Sequence, residues 1–232
     1  MIRTLLVGAG VFVDALCEGL EAQGHAVAVV VPLRKPSAEV TPYDLDTPAT
    51  GLNVAAGLLG SPNLVIHVPA VPEGPTDVID QTVEEWIAAC EAPLDEAVAV
   101  VRSVQPLLAG RSPTGGGRLV WVLPTTALSG SAGFVATGAA CEGIRALAKG
   151  TAKQWGADGA TTSVLLVDPG VFFAGCEAPL TEGMRDPALA SLGRVGDPVS
   201  DLAPLLDLLA DPRAAFTTGG TIVADGGTWM AL

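Results

Sequence analysis

Few residues in this sequence have the type and spacing to do chemistry. Four cysteines (Cys17, Cys90, Cys141, Cys176) are scattered without a CxxC pair, and the histidines His25 and His67 lie too far from them to suggest a zinc site. The expectation is reduced thiols and no metal. Thr137 and Cys141 stand one helical turn apart, so their hydroxyl and thiol share a helix face. A thiol attacks as a thiolate and needs a base beside it. No histidine lies near Cys141 in sequence, which makes a packed, inert side chain the expectation. Asp14, near the start of an amphipathic stretch, reads as a carboxylate that caps a helix and favours its dipole. Trp86, Trp121, Trp155 and Trp229 read as core or interface anchors.

The elements that must position these residues alternate regularly. Apolar, β-rich runs at Arg3–Val7, Ala26–Val31, Asn63–Val68, Arg118–Leu123, Thr162–Val167 and Thr221–Val223 read as buried strands. Between them lie amphipathic stretches near Asp14–Gln23, Thr82–Leu108, Thr137–Gly156 and Pro198–Ala210. Parallel strands need crossover helices, so this order predicts an α/β, doubly wound Rossmann-type sheet of about seven mostly parallel strands. Residues 1–232 contain neither repeat nor low-complexity linker and read as one domain.

Bulk composition narrows the function. A net charge of −13 and a pI of about 4.3 exclude the basic footprint of a nucleic-acid binder and argue against an anionic membrane surface. Apolar residues reach 49%, yet no run is long enough to span a bilayer. Charged residues are only 16%, against roughly 25% in soluble proteins, which suggests surface hidden in an oligomer. MIRTLLVGAG enters the first strand directly, so no signal peptide and a cytoplasmic location are expected.

Five segments in order resemble the short-chain dehydrogenase/reductase family over nearly the whole chain. LLVGAGVFVDALCEGLEAQGHAVAVV resembles its opening strand, TGxxxGxG loop and helix, and TVEEWIAACEAPLDEAVAVV its long central helix. GRLVWVLPTTALSG sits where the family carries a catalytic serine, and TGAACEGIRALAKGTAKQWGADGATTSVLLVDPG matches its active-site helix and Pro-Gly turn. LGRVGDPVSDLAPLLDLLADPRAAFTTGGTIVADGG resembles its C-terminal signature. The resemblance implies a Rossmann fold, a nicotinamide dinucleotide and tetrameric assembly.

The same register implies loss of the chemistry. Gly8 remains at the tight turn, but Phe12 and Asp14 occupy the positions of the second and third loop glycines, which let a pyrophosphate approach the helix N–H groups. The expectation is a Phe12 ring in the cofactor's path, Asp14 in the anion site, and no cofactor. Thr137 falls at the family's tyrosine, Cys141 at its lysine, Pro124 at its serine and Pro93 at its asparagine. The one tyrosine, Tyr43, is far from that helix, and Lys35, Lys149 and Lys153 follow no tyrosine. A threonine hydroxyl is far too weak an acid to replace a lysine-assisted phenol. The loop after the third strand run reads His67-Val68-Pro69-Ala70 in place of Asn-Asn-Ala-Gly. Asp44-Leu45 resembles the family's adenine-contacting pair, and Arg34-Lys35 follows the second strand as a solvated turn. Thr125 and Thr126 are spare hydroxyls beside Pro124.

The function this implies is a non-catalytic subunit, a pseudoenzyme that joins a catalytically intact paralogue, as a heterotetramer, and supports its reaction on an acyl-CoA-type substrate. Alternatives are a cofactor-independent lyase or cyclase, a small-molecule sensor using the vacated cleft, and a residual NAD(P)-dependent oxidoreductase.

Overall fold

A computed structural model of the chain describes residues 1–32, 47–71, 74–110, 116–173 and 190–230. Six parallel strands form one sheet in the order β2-β1-β3-β4-β5-β6: β1 Arg3–Val7, β2 Ala26–Val30, β3 Leu64–His67, β4 Arg118–Pro124, β5 Thr161–Val167 and β6 Thr221–Ala224. The sequence had suggested about seven strands. Among the described residues one helix, α2 (Thr47–Leu59), leads from β2 back to β3, with no strand between them.

Strand alternation sends side chains to two apolar layers. Leu6, Leu64, Ile66, Val120, Val122 and Leu165 pack under α1 (Val11–Ala22) and the C-terminal helix. Leu5, Val65, Leu119, Trp121, Leu123 and Leu166 pack under α2 and two long helices. This two-sided burial explains why the strands read as unbroken apolar runs.

The first long helical region matches Thr82–Leu108 but is not uniform. Thr82 and Glu85 form a reciprocal capping box for α3 (Val83–Trp86). A π-turn follows at Ile87–Glu91, and α4 (Ala92–Leu108) starts with Pro93 in its first two positions. Proline has no N–H to give the preceding turn. The Ala92 N–H reaches back to the Ile87 carbonyl instead, so the helix is bulged where Pro93 requires it. Another π-turn, Pro198–Leu202, precedes α8 (Ala203–Ala210), which also begins with a proline. Between them come α5 (Thr126–Ser129), α6 (Val135–Trp155) and α7 (Pro169–Phe172). Gly138 and Gly143 of α6 face Ala127 and Leu94 of the same chain; Ala139, Ala146 and Gly150 are exposed.

Candidate active-site cleft

The strand order reverses between β1 and β3, and in open α/β sheets ligands enter the crevice outside the carboxyl ends at that point. One wall begins at the turn Gly8-Ala9-Gly10. A Cβ on Gly8 would lie 2.9 Å from the Val68 carbonyl oxygen, so only glycine lets the β1 and β3 ends approach this closely. Gly10 has φ 99° and caps α1 with no side-chain bond. The helix therefore starts at Val11, ahead of Phe12 and Asp14, which fall in its first turn.

That start corrects two expectations. Phe12 is 4% exposed and turned into the core, 5.4 Å from the Phe172 ring centroid, so it does not stand in the loop itself. Asp14 donates its backbone N–H to the Gly10 carbonyl, while its carboxylate is exposed and does not cap the turn. It remains a negative charge in the first turn of α1, where an incoming anion would meet repulsion.

The opposite wall carries the remaining candidate residues. Pro124 ends β4, Thr125 donates its N–H to the Val167 carbonyl, and Thr126 buries a hydroxyl with no partner. Pro93 is buried after the π-turn. Thr137 is 3% exposed and Cys141 fully buried on α6. Burial pushes the Cys141 thiol up to about 12, with Glu142 adding to the rise and Arg145 opposing it. Such a thiol carries no charge at neutral pH, so it neither attacks nor lowers a neighbour's pKa as a lysine would.

The sequence reading missed a buried pair behind this wall. His67 donates or accepts through Nε2 to Glu96 Oε1 at 2.8 Å, and both residues are sealed from solvent. His67 pairs in register with Trp121 on β4, and among the described residues neither His67 Nδ1 nor Trp121 Nε1 has a partner. Twenty-nine positions separate His67 from Glu96, so no local spacing could reveal the contact. The other histidine, His25, bonds Thr4 and Asp207, and among the described residues no group of three or more ligating side chains could hold a metal.

A cavity of about 170 Å³ opens beside the turn after β5, lined in part by Asp168, Arg194, Asp201 and Asp225. Asp168 caps α7 by accepting from the Gly170 N–H at 2.7 Å. Its pKa is raised, chiefly by burial. Arg194 is held by both carboxylate oxygens of Asp201. A larger cavity, about 320 Å³, lies at the other end of the sheet near Asn63, Asp207 and Arg213. Asp44-Leu45, Arg34-Lys35, Tyr43 and Cys176 lie outside the described residues.

These residues fit a nicotinamide dinucleotide poorly. Gly10 leaves room at the α1 N-terminus, but Asp14 opposes a pyrophosphate and the core there is filled by Phe12 and Phe172. The described wall offers Thr137 and Cys141, both buried, where a proton donor and its cation would be needed.

Comparison with known proteins places this geometry in a family. Residues 18–228 match the family model described as enoyl-(acyl carrier protein) reductase, a match that begins after the glycine turn. A 3-oxoacyl-[acyl-carrier-protein] reductase FabG of Vibrio cholerae is 30% identical over 149 residues, covering 63% of this chain and 59% of that protein. The TT0495 protein of Thermus thermophilus superposes with TM-score 0.74 at 22% identity, over 98% of this chain and 99% of that one. A 3-ketoacyl-(acyl-carrier-protein) reductase of Brucella melitensis, solved with NADH, superposes with TM-score 0.77 at 16% identity, over 99% and 98%. Among the described residues no helix is long and apolar enough to cross a membrane. With the six-stranded parallel sheet and a family match over most of its length, the chain belongs to the short-chain dehydrogenase/reductase family of oxidoreductases.

Proposed function

We propose that the chain is a non-catalytic member of this family that assembles, as a heterotetramer, with a catalytically intact paralogue and supports its reaction. One observation carries the reading: the positions that would relay a proton hold Pro93, Pro124, Thr137 and Cys141, with the Cys141 thiol pushed up to about 12. Neither proline can exchange a proton, and a neutral buried thiol cannot replace a lysine cation. No cofactor is assigned. The exposed apolar side chains Val98 on α4 and Val223, Trp229 and Met230 at and after β6 support assembly. The FabG relatives, named for 3-oxoacyl groups carried on acyl carrier protein, support an acyl thioester as the partner's substrate; an acyl-CoA type is our own expectation.

Co-expression with an intact family member tests this. A stable complex with several-fold more activity than the partner alone is expected. Separate elution, with the partner fully active by itself, refutes it. A second reading, a residual NAD(P)-dependent oxidoreductase, draws on the Gly8–Gly10 turn and on the reductase names of the relatives. NADPH consumption by the isolated chain would favour it.

A further inference from the structure

Four of the five phenylalanines form a single chain of ring contacts. Phe12 lies 5.4 Å from Phe172, Phe172 meets Phe173 edge-on at 5.1 Å, and Phe173 lies 5.7 Å from Phe134. All four are less than one-tenth exposed. They belong to three segments, each leaving the carboxyl end of a different strand: Phe12 after β1, Phe134 after β4, and Phe172 with Phe173 after β5. β3 and β4 lie between the β1 and β5 ends, so the rings bridge two intervening strands within the apolar layer under α1 and α8, beside the point where the strand order reverses. Ring pairs at these separations and tilts attract one another beyond their simple burial.

We propose that this aromatic chain is a built-in plug, an autoinhibitory contact that fills the crevice from within and locks the first turn of α1 to the turn after β5. The plug excludes a flat ring ligand by volume, while a Cβ at Gly10 would meet nothing within 4 Å. The proposal rests on the non-catalytic reading and gives it a steric cause. Phe172 is the central link, since it touches both Phe12 and Phe173.

The test is a calorimetric titration of NADH into the wild type, Phe172→Ala and Phe172→Leu, with thermal melts to establish that each is folded. The wild type should give no saturable heat, and Phe172→Ala should bind at least about tenfold more tightly. Phe172→Leu, which removes less volume, should lie between them and decides the matter if the alanine variant does not fold. The proposal is overturned if wild type binds as tightly as a folded variant, or if no folded variant exceeds wild type. Partner capture by co-expression is read separately, so failure of the subunit reading and failure of the plug are distinguishable.

Discussion

The two ends of the sheet use polar side chains in opposite ways. At the amino end they hold the scaffold. The Thr4 hydroxyl meets His25 Nδ1 at 2.8 Å, and His25 Nε2 meets Asp207 at 2.9 Å, joining β1, the start of β2 and α8. Arg118, at the start of β4, donates to three neutral oxygens: Thr161 Oγ1, Thr217 Oγ1 and the Ala214 carbonyl. Burial pulls its pKa down, so those bonds compensate a costly buried cation. Toward the carboxyl end, where the fold presents its ligand crevice, the space is aromatic and the buried polar atoms His67 Nδ1, Trp121 Nε1 and Thr126 Oγ1 have no partner among the described residues. At the amino end these contacts tie strands to helices, with Arg3 Nε the buried atom left without a partner there among the described residues; on the proposed reading the other end keeps packing in place of proton chemistry.

The largest expected effect breaks that contrast at its weakest point. Glu96→Ala leaves His67 buried without its carboxylate and should destabilise by about 3–5 kcal/mol in urea unfolding. Replacing both partners with leucine should recover most of the loss, because breaking a buried pair costs more than omitting it. If Glu96→Ala is silent, the pair is not structural. At the amino end, Arg118→Met removes three bonds from a charged donor and should cost about 2–3 kcal/mol by the same measurement. A loss no larger than that of a surface substitution would mean the amino end is not held as described.

Smaller still is a pH effect. Asp168 has a raised folded pKa, first through burial, with the Asp225 carboxylate adding to the rise and the Gly170 N–H and Thr228 hydroxyl opposing it. A raised folded pKa favours the protonated form in the native state. Its contribution is therefore present in acid, below the ordinary carboxylate range, and is lost as pH rises through the raised value. Asp168→Asn should melt progressively higher relative to wild type as pH rises from acid to neutral. A constant difference would contradict the assignment. The smallest expected effect is none: Thr137→Tyr with Cys141→Lys should show no reductase activity, since catalytic residues that act as a unit give little when only some are restored. Turnover by that variant would show that the cleft is open.

The strands were legible because both sheet faces are buried, which turns Arg3–Val7 and Thr161–Val167 into apolar runs readable without their neighbours. Pro93 likewise announced a break, and the π-turn before it is the form that break takes. α2 was missed: its run of alanine, glycine and leucine gives only a weak stripe between the second and third strand runs. Phe12 was read at the wrong depth because its position was taken as loop, whereas it lies in the first turn of α1 on the face turned to the core. The aromatic chain and the His67–Glu96 pair were invisible for a common reason. Each joins residues far apart in sequence, so only the folded sheet brings them together. The adjacent Phe172-Phe173 after Pro169-Gly170 was the one local signal, two large rings directly beyond the turn that borders the crevice.

On the proposed reading this chain keeps the fold of an oxidoreductase without its chemistry. The most direct test is NADPH oxidation by the purified chain, at high enzyme concentration, with a 3-oxoacyl thioester as substrate. The arrangement of Pro93, Pro124, Thr137 and Cys141 predicts a rate indistinguishable from buffer, unchanged by Thr137→Val or Cys141→Ala. A wild-type rate above background that either substitution abolishes would contradict it.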